Sequence, residues 1–239
     1  MIKLSVRAMA QYLVSDEAAR LQLLRERKYR APESTAGARF YSEARTSIAA
    51  YHRGAISRDT IEARIVAMRR EAKYCNPSLR TELQSNADVL ERYLYYQGSR
   101  TLELAPPPAA DLVRGDVEIT VRPSLFGLEE EDRRLIFLEL RERPITPAMR
   151  IIAELAFEAF RPVLRNLSPR AVQVIDVRRG IITELQQPGS SIGRELAAAC
   201  KTISALWPQL RPPDRGQWAS RQEERPTERQ LSIAWDFEI

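Results

Sequence analysis

The spacing of apolar residues changes between residues 111 and 142, and that change restricts the folds open to the chain. Before residue 99 the sequence reads as basic helix. In DLVRGDVEITVRPSLFGLEEEDRRLIFLELRE the period switches to that of strands. Residues 113–121 alternate, with Val113, Val117, Ile119 and Val121 on one face and Arg114, Asp116, Glu118 and Thr120 on the other. Residues 135–140 form the apolar run expected of a strand covered on both faces. The acidic turn Glu129-Glu130-Glu131-Asp132 joins the two runs. Asp116 and Glu118 lie on the first strand and Glu139 on the second.

Helices are expected around this centre. Residues 5–13 and 15–28 read as helix, the latter with Ser15 as cap, Asp16 and Glu17 at its start and Arg25, Arg27 and Lys28 at its end. A second helical stretch, 38–51, stops at Gly54. Asp59-x-x-Glu62 opens a third that runs to residue 72, and Asn76-Pro77-Ser78 caps a fourth that reaches Tyr93, Tyr95 and Tyr96. Residues 101–104 are a short strand candidate, followed by a proline linker at 105–109. Thr146-Pro147 starts a helix with an apolar stripe of Ile151, Ile152, Leu155, Phe160 and Leu164. Residues 171–177 and 181–185 read as a hairpin around Arg178-Arg179-Gly180, and 191–206 as the last helix.

With 37 Lys+Arg against 32 Asp+Glu the chain carries a net charge of +5. The excess is confined to residues 1–100, at +7, while residues 101–239 sit at −2. A basic helical half favours a polyanionic partner, with Arg64, Arg69, Arg70 and Lys73 as the candidate nucleic-acid contacts. The structural alternative is an ordinary charged helix face. No apolar run reaches the length of a membrane span, so no membrane partner is expected. Two cysteines and a single His52 cannot build a zinc site, and they fit reduced, buried thiols in a cytoplasmic protein. His52 reads as a residue closing a helix. Any catalytic metal would therefore be magnesium or manganese held by carboxylates. Without catalysis no cofactor is expected.

The tail divides in two. Residues 209–229 read as an exposed linker rich in charge and proline, and residues 230–239 as a strand. In that strand Leu231, Ile233, Trp235, Phe237 and Ile239 occupy every second position. Such a strand either completes the protein's own sheet or adds to another subunit, so these five residues are the candidate partner-binding set.

The order helices, strand, strand, strand, helix, strand resembles the PD-(D/E)xK nuclease superfamily, in particular its RecB-like branch. LSVRAMAQYLVSDEAARL (4–21) is similar to the opening helix of that branch, and DVEITVRPSLF (116–126) with LIFLELRE (135–142) to its second and third core strands. The resemblance implies a magnesium site of an aspartate on or after the second strand and an acidic-x-lysine on the third. Glu139-x-Arg141 falls where the acidic-x-lysine belongs, and Pro123-Ser124 where Pro-Asp belongs, so serine replaces a carboxylate and arginine a lysine. Asp116 or Glu118 could substitute as co-ligand, which makes Glu139 and Asp116 the candidate metal ligands and Glu139, Asp116, Glu118 and Arg141 the candidate catalytic set. The structural alternative pairs Glu118 and Glu139 with Arg114, Arg134 or Arg141 across strands.

The expected fold is α+β: a helical N-terminal region packed on a small mixed β-sheet with flanking helices, a restriction-endonuclease-like core. Residues 1–98 would be the basic helical region and 99–208 the α/β core. The resemblance implies a catalytically degenerate, nucleic-acid-associated protein that binds nucleic acid or scaffolds a complex that does. An active magnesium-dependent nuclease is the first alternative. A subunit that docks through its C-terminal strand, without nucleic acid, is the second.

Overall fold

Strand register decides how this chain folds, because its best apolar runs are buried on two faces at once. A computed structural model describes residues 1–29, 40–141, 146–187, 189 and 191–212. The expected C-terminal strand at 230–239, with Leu231, Ile233, Trp235, Phe237 and Ile239, lies outside the described residues. The fold is α+β, with 53% helix and 19% strand among the described residues.

The chain begins with β1 (Ile2–Ser5), then α1 (Val6–Val14), α2 (Glu17–Lys28), α3 (Ser42–His52), α4 (Arg58–Glu71) and α5 (Pro77–Gln97). Next come β2 (Glu103–Leu104), β3 (Ala110–Arg114), β4 (Val117–Val121), β5 (Leu125–Glu129) and β6 (Asp132–Glu139). Then α6 (Thr146–Phe160), β7 (Val172–Asp176), β8 (Ile181–Glu184) and α7 (Ile192–Leu206) complete it. Side chains of Ser5, Asp16, Ser57 and Asn76 cap α1, α2, α4 and α5, each accepting from a backbone N–H three residues on. The cap of α2 is thus Asp16 rather than Ser15.

Two mixed sheets result. In one, β4 lies between β1, which is parallel to it, and β3, which is antiparallel. The other runs β2-β5-β6-β7-β8, antiparallel throughout except for the parallel pair β6–β7, which α6 connects. Alternate residues of β6 serve two cores. Leu135 and Phe137 enter a cluster with α1, α2, α6, α7 and the three-stranded sheet, while Ile136, Leu138 and Leu140 enter a second with α3, α4 and α5.

Three expectations change. The first is that residues 113–121 are not one strand. Gly115 takes φ +60° and reverses the chain, so Leu112 stands opposite Ile119 facing the core and Val113 opposite Glu118 facing solvent. Next, the acidic turn does not join that run to β6. It joins β5 to β6, with Glu130 and Glu131 at φ 50° and 71°, and β4 belongs to the other sheet. Finally, the N-terminal region is not wholly helical, since Ile2–Ser5 is a strand in register with β4, and it packs with α1 and α2 into the first core.

His52 does close α3, but burial pushes its pKa down to about 4, with Arg100 acting in the same direction, and its ring meets the Tyr93 hydroxyl. The unfolded chain therefore takes up a proton near pH 6.5 that the folded chain refuses until about pH 4. Stability should fall as pH is lowered through that interval, and His52→Asn should flatten that limb of a denaturation–pH curve. An unchanged limb would place the titration elsewhere.

Candidate functional site

Of the sequence-predicted residues, Glu139 and Arg141 meet at the C-terminal end of β6. Ser5 caps α1 through the Ala8 N–H at 3.2 Å, which sets Arg7 in the first helical turn, directed at the end of β6. There Arg7 Nη2 donates to the Leu138 carbonyl at 2.7 Å, and Nε lies 3.9 Å from Glu139 Oε2. A cation in the first turn opposes the helix dipole, so the carboxylate ahead of it is its compensation.

Glu139 is only 3% exposed. Arg141 grips it from two residues on, with Nε to Oε1 at 2.8 Å, Nη2 to Oε2 at 2.7 Å and its backbone N–H to Oε1 at 3.1 Å. Burial alone would push this carboxyl up. The Arg141 hydrogen bonds and the Arg141 and Arg7 charges outweigh it and hold the group below the usual carboxylate range.

Pro123-Ser124 stands beside this pair. The Ser124 N–H donates to the Ile136 carbonyl at 2.7 Å, and its Oγ accepts from the Leu138 N–H at 3.0 Å. Serine here closes the β5–β6 ladder with its hydroxyl.

On the other side, Asp176 of β7 is in register with Glu139 and is 1% exposed. Its carboxylate accepts from Arg179 Nη1 at 3.0 Å and from the Arg179 N–H at 3.2 Å. Arg178 Nε donates to the Leu140 carbonyl at 3.0 Å. Two adjacent strand ends thus each bury a carboxylate under an arginine that follows it closely in sequence. Sequence reasoning missed Arg7, Asp176, Arg178 and Arg179. Arg7 in a first helical turn was a usable signal, but the register that brings Asp176 to Glu139 was not readable.

The other candidates lie apart. Glu118 is on β4, with Lys3 Nζ 3.4 Å from its Oε1, and Asp116 is in the β3–β4 turn, where its carbonyl accepts from the Ile2 N–H at 2.7 Å. Neither is among the groups that act on Glu139. Among the described residues no group of three His, Cys, Asp or Glu side chains could hold a metal ion. The residues therefore do not fit the magnesium site that the resemblance implies: Glu139 is saturated by guanidinium, Ser124 is used by the backbone, and Asp116 and Glu118 lie on the β3–β4 hairpin of the other sheet.

On the basic helices, Arg64 Nη1 pairs with Glu43 at 3.2 Å and bonds Ser47 at 3.0 Å. Arg69 takes Glu91 bidentately at 3.0 and 2.8 Å and Asp88 at 3.2 Å, and these bonds push its pKa up. The side chains of Arg70 and Lys73 are exposed and have no polar partner among the described residues. Of the tyrosines, Tyr93 is buried, while Tyr95 is 76% and Tyr96 38% exposed. Cys75 and Cys200 are free thiols. Among the described residues no helix is long and apolar enough to cross a membrane.

Compared with known proteins, the chain matches no family model and no curated protein.

Proposed function

We propose that this protein is a cytoplasmic, nucleic-acid-associated domain of PD-(D/E)xK-like descent whose catalytic site has become an ion-pair clamp. The observation that carries this reading is the pairing of Pro123-Ser124 with Glu139-x-Arg141 at one end of the β5–β6 hairpin. That is the place the resemblance assigns to the metal site, and an arginine fills it with fixed positive charge. Arginine stays protonated, so it cannot serve as a titrating lysine would, and its bidentate grip denies Glu139 to a cation. The order α5, β2, β5, β6, α6, β7 supports the restriction-endonuclease-like reading, with the β3–β4 hairpin inserted after β2.

Nucleic acid would be held by cations that the fold leaves unneutralised. Arg70 and Lys73, beside the exposed Tyr74, meet that condition better than Arg64 and Arg69, whose charges are spent on Glu43, Asp88 and Glu91. Affinity for single- or double-stranded nucleic acid should fall steeply with salt. The double variant Arg70→Ala/Lys73→Ala should weaken binding roughly tenfold and lower the salt slope by about 1–2. Arg69→Ala should change affinity by less than about twofold, since its partners already screen it. A larger loss in Arg69→Ala than in the double variant would move the contact to the Arg69 side, and salt-insensitive binding would remove the nucleic-acid reading. The alternative of an active nuclease rests on Glu139 in its family position, and it requires magnesium-dependent cleavage that Glu139→Ala abolishes.

A further inference from the structure

The described sheets have four free edges, and three of them are guarded. On β1 the outward side chains are Lys3 and Ser5, on β3 they include Asp111, and β2 is two residues long and runs into Pro106-Pro107-Pro108. Charges and prolines of this kind keep foreign strands away. The fourth edge, β8, differs. Its Ile181 and Ile182 are 48% and 40% exposed, and its outward backbone groups have no partner among the described residues.

An aromatic shelf adjoins this edge. Gly180, at φ +69°, lies against the Tyr96 ring so closely that a Cβ there would come within 2.4 Å of two ring atoms. Tyr95 stacks edge-on to Tyr96 with ring centroids 4.8 Å apart. Ile182 is in register with Ile175, which faces the same core as Tyr93, so Ile182 is directed to the α5 side of the sheet. Tyr95, Tyr96 and Ile182 thus form an apolar surface beside an open ladder, with Ile181 exposed on the opposite face of the same edge.

We propose that this edge receives the chain's own C-terminal segment, residues 231–239, as a sixth strand beside β8. The segment has the complementary chemistry. Its period-2 pattern places Leu231, Ile233, Trp235, Phe237 and Ile239 on one face, and a strand of that kind needs a ladder and an apolar surface together. It also has the reach. Residues 213–230 extend to roughly 60 Å, more than the width of a fold whose radius of gyration is about 17 Å. A tether of this length holds the segment at about millimolar effective concentration, which favours its own chain over a second copy. The inference does not depend on nucleic-acid binding.

Amide hydrogen exchange on the full chain tests it against a chain ending at Gln230. The amides of residues 181–184 should exchange at least tenfold faster after the deletion, and a peptide of residues 230–239 added at millimolar concentration should restore their protection. Tyr95→Ser/Ile182→Lys, at positions 76% and 40% exposed, should free the amides of residues 231–239 in the full chain. Protection should be the same over a hundredfold range of protein concentration. Equal exchange at 181–184 with and without the segment overturns the proposal, and protection that disappears on dilution overturns its intramolecular form.

Discussion

The double variant Arg7→Met/Arg141→Met should lose roughly 3–5 kcal/mol at pH 7, the cost of leaving a buried charge without its partners. Glu139 is the buried member of this cluster, with 4% of its side chain exposed against 34% for Arg7 and 44% for Arg141. Removing the arginines strands the carboxylate rather than the cations. The sign of the pH dependence then reverses. In the native protein the Glu139 pKa lies below its unfolded value of 4.5, so its contribution is complete above that pH and is lost as pH falls through the folded value. In the double variant burial acts unopposed and raises the pKa, so the variant regains stability as pH falls and Glu139 takes up a proton. Chemical denaturation at pH 7, pH 5 and pH 3 measures both effects, since the native loss begins only below the unfolded value of 4.5. Adding Glu139→Gln should recover part of the loss at pH 7. A double variant within about 1 kcal/mol of the native protein at pH 7 would mean that the clamp contributes nothing to the fold.

Phe137→Ala should also cost about 3–5 kcal/mol, the usual cost of emptying a large aromatic site in a closed core. Phe137 is fully buried on β6, on the face shared with α1, α6 and the three-stranded sheet. Its neighbours Ile136 and Leu138 serve the core beneath α3, α4 and α5. Because one strand supplies both cores, unfolding of Phe137→Ala should remain a single transition, shifted but not split, by fluorescence and by circular dichroism. A second transition that retains the helices of residues 42–97 would show that this layer folds independently of β6.

How much of this was legible follows from where the information lies. Local signals placed α7 within a residue of its start, found the β7–β8 hairpin around Gly180, and marked β6 as a strand covered on both faces. Each depends on a turn residue or an apolar period in the segment itself. β1 was hidden because four residues that end on a helix cap become a strand only when β4 is beside them. β5 was hidden because Gly127 interrupts LFGLE. That glycine is required by β2, since a Cβ there would stand 2.4 Å from the Glu103 carbonyl oxygen. The β3–β4 turn was hidden by a two-residue reversal at Gly115-Asp116, across which the run still reads as alternation.

The site divides in the same way. Glu139 and Arg141 are two residues apart on one strand, so sequence spacing brings them together. Arg7 and Asp176 arrive through α1 and through the parallel β6–β7 register, which no local pattern encodes. Asp116 and Glu118 shared an apparent strand system with Glu139 only while β5 went unseen. Arg64 and Arg69 looked like free cations until α3 and α5 supplied their carboxylates.

Manganese and magnesium titration, followed by calorimetry and by incubation with single- and double-stranded DNA and RNA, distinguishes a closed ion-pair clamp from a working metal site. A clamp closed by Arg141 predicts no saturable metal binding that depends on Glu139, and substrates that are bound in a salt-dependent manner yet left intact. Metal binding or strand cleavage that disappears in Glu139→Ala would contradict it and return the end of β6 to catalysis.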